Sequence, residues 1–89
     1  MKYKVVGVQH KEGVFTDKQG REWPYNNYNL HTMRDARNVV GQCVTVLKVK
    51  ADVAADVIAL AGGDPAGLVG LTLDVEENRF GKVVWVELV

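Results

Sequence analysis

Residues 42–63 read QCVTVLKVKADVAADVIALAGG, and the change of pattern inside them decides the fold. Residues 42–50 are rich in β-branched side chains, with Val44, Val46 and Val49 around Thr45, and this predicts a strand. Residues 52–61 then switch to an alanine-rich composition in which Val53, Val57, Ile58 and Leu60 give an apolar face at helical spacing. Asp52 is placed to cap this helix, because its carboxylate can accept from the exposed N–H groups of the first turn. Gly62 and Gly63 stop the helix, and Asp64-Pro65 prevents its resumption.

Working outward, residues 2–10 (KYKVVGVQH) are β-rich and partly alternating, and predict the first strand. Gly7 inside it marks a bulge or bend of the kind a small barrel needs in order to close. Residues 13–16 continue as extended chain, and residues 17–20 (DKQG) predict a hairpin tip. Residues 21–32 (REWPYNNYNLHT) return as the second strand, with Pro24 removing one ladder donor and so marking an edge or an irregularity. Residues 33–41 are a polar connection ending in glycine. Beyond the helix, residues 67–75 (GLVGLTLDV) predict strand four, residues 78–81 (NRFG) a turn, and residues 82–89 (KVVWVELV) strand five. Trp85, set between valines, is assigned to the core. The element order β-β-β-α-β-β predicts a mainly β fold, a five-stranded OB-type barrel with one short helix between strands three and four, in a single domain over 1–89.

The chain has 89 residues, and one this short hides only about 60% of the surface its unfolded form exposes. Self-association would bury more apolar surface without more chain, so a homodimer is the expected state. No run of about 20 apolar residues exists, which predicts no membrane span. The opening MKYKVVGVQHKEG lacks a signal peptide's apolar centre, so the cytoplasm is the expected compartment. The single cysteine, Cys43, lies in an apolar run and reads as a small buried hydrophobe. Formal net charge is zero, but it is segregated: residues 1–50 hold nine Lys and Arg against four Asp and Glu, and residues 51–89 hold two against seven. A split of +5 and −5 points to an interaction face.

Catalysis fits poorly. No paired carboxylates, Ser/His/Asp set or phosphate loop can be picked out, and no cofactor motif is present. His10 and His31 lack further ligands for a metal site. The informative stretch is residues 11–31, KEGVFTDKQGREWPYNNYNLH. It holds four of the chain's seven aromatics, Phe15, Trp23, Tyr25 and Tyr28, together with Lys11, Lys18 and Arg21. Single-strand binders use this combination, since flat rings stack on bases of any sequence and cations track phosphates. On a regular strand Trp23, Tyr25, Asn27, Asn29 and His31 share one face, while Pro24, Asn26, Tyr28, Leu30 and Thr32 share the other. The first face carries rings and amides with almost nothing aliphatic, so it reads as a binding surface, and Tyr28 and Leu30 read as the core side. Lys48 and Lys50 point the same way on strand three, on the face OB-folds use for ligands, and Arg34 and Arg37 would extend a cationic track. Phe80, at the last turn, has three open roles: stacking on a base, packing on a second copy, or folding back on its own barrel.

The layout resembles that of the gene V type single-stranded DNA-binding proteins of filamentous phages. The similarity lies in an aromatic first hairpin (FTDKQGREWPYNNYNL, 15–30), a glycine-led fourth strand (GLVGLTLDV, 67–75) and a final hairpin with Phe-Gly at its tip (NRFGKVVWVELV, 78–89). That resemblance implies an OB-fold homodimer whose first hairpin and Phe-Gly tip touch DNA, with Arg21, Tyr25 and Phe80 as the best-matching contacts. The longer helix and the acidic C-terminal half depart from the family pattern. The expected function is a non-enzymatic protein that coats single-stranded DNA during phage or mobile-element replication, with RNA as the other polymer the residues would suit. Lys11, Phe15, Lys18, Arg21, Trp23, Tyr25, Asn27, His31, Lys48, Lys50 and Phe80 are its candidate contacts. The alternative is a protein-interaction or assembly module without nucleic acid.

Overall fold

Five strands and one helix follow in the expected order in a computed structural model that describes residues 1–89: β1 (Lys2–Thr16), β2 (Glu22–Arg34), β3 (Cys43–Lys50), α1 (Ala51–Leu60), β4 (Thr72–Glu77) and β5 (Val83–Leu88). The strands are antiparallel and form one sheet ordered β3-β2-β1-β4-β5. The sheet curls without closing. β3 and β5 are its two edges, and no ladder joins them, so the barrel is a partly open one. No helix is long and apolar enough to cross a membrane.

Alternation along the strands sorts the side chains. Leu47 and Val49 of β3, Leu30 and Thr32 of β2, and Tyr3 and Val5 of β1 are buried, and their neighbours in sequence face out. Leu73, Val75, Val83 and Val86 complete the sheet's inner surface, and Ala54, Val57 and Ile58 of α1 cover it. Only 14 of 89 residues are buried, so each core side chain carries a large share of the stability. Thr32 is the one polar member, and its hydroxyl donates to the Thr45 carbonyl at 2.9 Å, which removes the penalty of burying it.

β1 and β2 are longer than a small barrel needs. Their register slips between Val5 and Gly7, which puts a bulge at Val6 as the glycine foretold. Beyond it the two strands pair continuously to Thr16↔Glu22, whereas β3 accompanies β2 only from Asn27 and β4 accompanies β1 only over Lys2–Lys4. Residues 12–26 therefore form a two-stranded arm that projects past the sheet, and Pro24 lies where β2 has no second neighbour. The radius of gyration reflects the arm: 14.4 Å, against about 12 Å for a compact chain of this length.

Several local expectations are corrected. β3 runs into α1 without a linker, so the cap position falls to Lys50, whose side chain makes no cap bond; Asp52 lies inside the first turn and accepts from the Val53 N–H at 3.0 Å. Leu60 is not on the buried face, which Ala54, Val57 and Ile58 make instead. The fourth strand begins at Thr72 and not at residue 67. Residues Pro65–Leu68 form a 3-10 turn capped by the Asp64 carboxylate, which accepts from the Ala66 N–H at 3.0 Å. Gly67 there lies so close to the Ala61 carbonyl that a Cβ would sit 2.3 Å from its oxygen. This turn buries Leu68 completely, and sequence alternation alone could not distinguish it from a strand. Cys43 is half-buried and free. Trp85 is not in the core. It lies 57% exposed on β5, opposite Glu76 and next to the buried Val86, because a slip at Val84 lets Val83 and Val86 both face inward and leaves Trp85 on the outer side.

Candidate nucleic-acid interface

Opposed residues in an antiparallel ladder point to the same face, so the register builds the outer surface row by row. Starting at the arm, the rows are Phe15–Trp23, Gly13–Tyr25, Lys11–Asn27–Lys50, Gln9–Asn29–Lys48, Gly7–His31–Val46 and Lys4–Met33–Val44. Eight of the candidate residues, Lys11, Phe15, Trp23, Tyr25, Asn27, His31, Lys48 and Lys50, therefore share one continuous face. Rows on one face are spaced by about 6.8 Å, twice the strand rise. Rings occupy the arm end, lysines and amides the middle, and valines the far end.

The rings are available. Phe15, Trp23 and Tyr25 are 60%, 53% and 42% exposed. Tyr25 reaches across to Gly13, where a Cβ would come within 2.7 Å of its hydroxyl and 3.0 Å of Cζ. The missing side chain thus lets the ring lie over β1 with its outer face open. Tyr28 belongs to the opposite face, where it packs on the core and stacks on His10, centroids 4.6 Å apart at 19°. His10 also hydrogen-bonds Asn26 there, which braces the base of the arm.

Lys18 and Arg21 sit at the arm tip, which Asp17 organises. Its carboxylate accepts from the Gln19 and Arg21 N–H groups, both at 2.9 Å, and from the Trp23 indole N–H at 3.1 Å. These bonds, that from Arg21 first and that from Trp23 next, hold the Asp17 carboxyl below its ordinary pKa. The arrangement links tip and ring: the acid that shapes the turn also orients Trp23, and the sequence reading missed it. A depressed folded pKa means that the stabilisation is present above the ordinary aspartate value of about 3.9 and is lost as pH falls through the folded value. Trp23 emission is therefore expected to hold constant on acidification until below the ordinary aspartate range, and then to change. In Asp17→Ala that acid step should vanish, with neutral-pH emission already resembling that of acidified wild type.

Phe80 lies on the β4–β5 turn and is 73% exposed, which excludes the third role considered for it, packing on its own barrel. The Asn78 side chain accepts from the Phe80 and Lys82 N–H groups and sets the turn, and the Arg79 guanidinium lies 4.8 Å from the ring centroid. Between this hairpin and the outer face runs an open cleft of about 980 Å³, at the seam where β3 and β5 fail to pair. Tyr25, Asn27, Lys48, Lys50 and Asp52 line one wall, and Glu77, Gly81 and Lys82 the other, so three lysines and two carboxylates share the cleft. Lys82 thereby joins the candidate contacts, although its distance in sequence concealed it.

Arg34 does not extend the cationic track. Its guanidinium lies 5.9 Å from the Tyr3 ring on the inner side, and its Nε is buried without a partner. Tyr3 itself has its pKa raised, by burial first and by the Glu77 carboxylate second. The remaining cations are free. The N-terminal ammonium pairs with Asp74 at 3.1 Å and the His10 ring lies 4.0 Å from the Glu12 carboxylate, and no Lys or Arg takes part in either contact or in any other ion pair. No group of three His, Cys, Asp or Glu side chains is placed to hold a metal. Comparison with protein-family models, with curated proteins and with solved structures finds no match. The likeness to the gene V type proteins therefore rests on layout alone.

Proposed function

We propose that this chain is a non-enzymatic single-strand-binding protein of the cytoplasm, coating DNA during the replication or transfer of a phage or mobile element and associating with itself as it does so. One observation carries the reading: a single outer face runs from two exposed rings, over an amide-and-lysine centre, to a cleft edged by Tyr25, Lys48, Lys50 and Lys82, in which the lysines outnumber the carboxylates of Asp52 and Glu77 and none of them is in an ion pair. Rings of this kind stack on bases, unpaired lysines exchange counterions for phosphates, and Asn27 and Asn29 offer both donors and acceptors to base edges. OB-type barrels use this surface, the second and third strands with the loops joining strands one to two and four to five, for oligonucleotides. The free cations of the arm tip and the exposed Phe80 lie in those two loops.

The test is quenching of tryptophan emission by an oligothymidylate, measured across a salt series. Log affinity should fall linearly with log salt at about −0.7 per phosphate contacted. Lys48→Ala and Lys50→Ala should each reduce that slope by about 0.7 and weaken binding evenly across sequences. Absence of quenching, and of an anisotropy change on a labelled strand at low salt, would favour the assembly-module reading. Running oligouridylate beside oligothymidylate decides between DNA and RNA, since the 2′-hydroxyl is what separates them.

A further inference from the structure

The acidic half leaves a second apolar surface uncovered. α1 and β5 flank a groove of about 320 Å³. Leu60, Val84 and Trp85 line it and remain exposed, and Asp52, Asp56 and Glu87 stand around it. None of these three carboxylates is in an ion pair, and no Lys or Arg lines the groove. An aromatic surface ringed by unpaired anions suits an apolar ligand that carries cations beside it.

The chain itself carries that ligand. The arm exposes Phe15 and Trp23 on its outer face, with Lys11 at its base and Lys18 and Arg21 at its tip. Its own carboxylates do not oppose a cation-led contact there: Glu12 and Glu22 fall on the other face, and that of Asp17 is bonded to the tip N–H groups and the Trp23 indole. The groove's three carboxylates, in contrast, are in no ion pair. No arm residue lines the chain's own groove. We propose that the groove receives the arm of a second copy, with the rings against Leu60 and Trp85 and the cations against Asp52, Asp56 and Glu87. The contact joins two different patches, so it is heterologous and passes from copy to copy. It is held by exposed charges and a small apolar area, which makes it weak and salt-sensitive. The groove also imitates a nucleic-acid strand, with a flat ring for the base and carboxylates for phosphates. Strand and groove then compete for Phe15 and Trp23, so that binding a strand releases the docked arm. This competition rests on the proposed strand-binding function; the docking does not.

Sedimentation equilibrium of the full chain, without nucleic acid and at low salt, tests the docking. The expected result is a mass that rises with concentration above the 9.8 kDa of one chain and returns to it as salt is added. Lys18→Glu with Arg21→Glu reverses the arm, and Asp56→Lys with Glu87→Lys reverses the groove; all four positions are exposed, so both double variants should fold. Each alone should associate at least about tenfold more weakly, the scale of losing an interface anchor. An equal mixture of the two should associate again, because each supplies the half that the other lacks. A wild-type mass of one chain at every concentration, a groove variant that associates like wild type, or a mixture that stays monomeric would each overturn the docking. A short oligothymidylate titrated onto wild type and groove variant separates the two ideas. Tighter strand binding by the groove variant, at concentrations where wild type is assembled, supports competition, and equal binding overturns it. No binding to either protein removes the strand-binding function and leaves the docking to stand on its mass measurements.

Discussion

Replacing Trp23 and Tyr25 together by alanine is expected to lower affinity for oligothymidylate by roughly 30-fold or more while leaving the fold unchanged. Each stacked ring contributes about 1–3 kcal/mol, and about 1.4 kcal/mol is a factor of ten. Both side chains stand on the outer face of the arm and neither belongs to the core, so their removal takes almost nothing from the packed interior. The measurement is anisotropy of a labelled oligothymidylate, with far-ultraviolet circular dichroism and a thermal melt as fold controls. A single alanine at either position should give an intermediate loss. An unchanged affinity in a folded double variant would remove the stacking role and with it the strongest argument for a single-strand ligand.

Leu30→Ala is expected to be the most destabilising substitution on the same strand. Leu30 is fully buried, stands opposite Val8 on β1 and Leu47 on β3, and belongs to a core of few residues. Truncating such a leucine costs about 2–5 kcal/mol through lost burial and the cavity left behind. A chain of this size has only about 4–13 kcal/mol in hand. The melting temperature should fall by more than about 10 °C, since each kcal/mol is worth about 4–8 °C in a domain this small. Asn29→Ala, one residue away, should change stability by less than about 0.5 kcal/mol, because its side chain lies on the outer face and anchors no packing. The pair of melts checks the face assignment directly: similar losses at both positions would mean that the alternation of β2 is wrong, and the outer face with it.

That alternation was legible without the structure. In REWPYNNYNLHT Asn27, Asn29 and the exposed rings fall on one parity, while Asn26, Leu30 and Thr32 fall on the other, and a strand obeys that parity because successive side chains point to opposite faces. Gly7 announced its bulge for a similarly local reason. Failures arose where geometry overrode pattern. Trp85 sits among valines, yet a slip at Val84 lets Val83 and Val86 both turn inward and leaves Trp85, opposite Glu76, in solvent. GLVGLTLDV looks like one strand, but Asp64 and Pro65 wind its start into a 3-10 turn against Ala61. Leu60 has helical spacing from Val57 but falls off the face that the sheet covers.

What the sequence determined by itself was therefore the set of elements, their order, the inward and outward parity of β2 and β3, and the segregation of charge. All follow from neighbours within a few residues, through backbone sterics and the periods of strand and helix. Only the tertiary structure decided the register of β1 on β2 and of β2 on β3. Register brings Lys11, Asn27 and Lys50 into one row, sets Tyr25 over Gly13, and leaves the far half of the first hairpin as an unaccompanied arm. It also decided that β3 and β5 approach without pairing, which leaves the cleft along their seam and brings Lys82 across from Lys48 and Lys50. Such juxtapositions depend on long-range pairing and on how the whole core fills, and no local pattern encodes them.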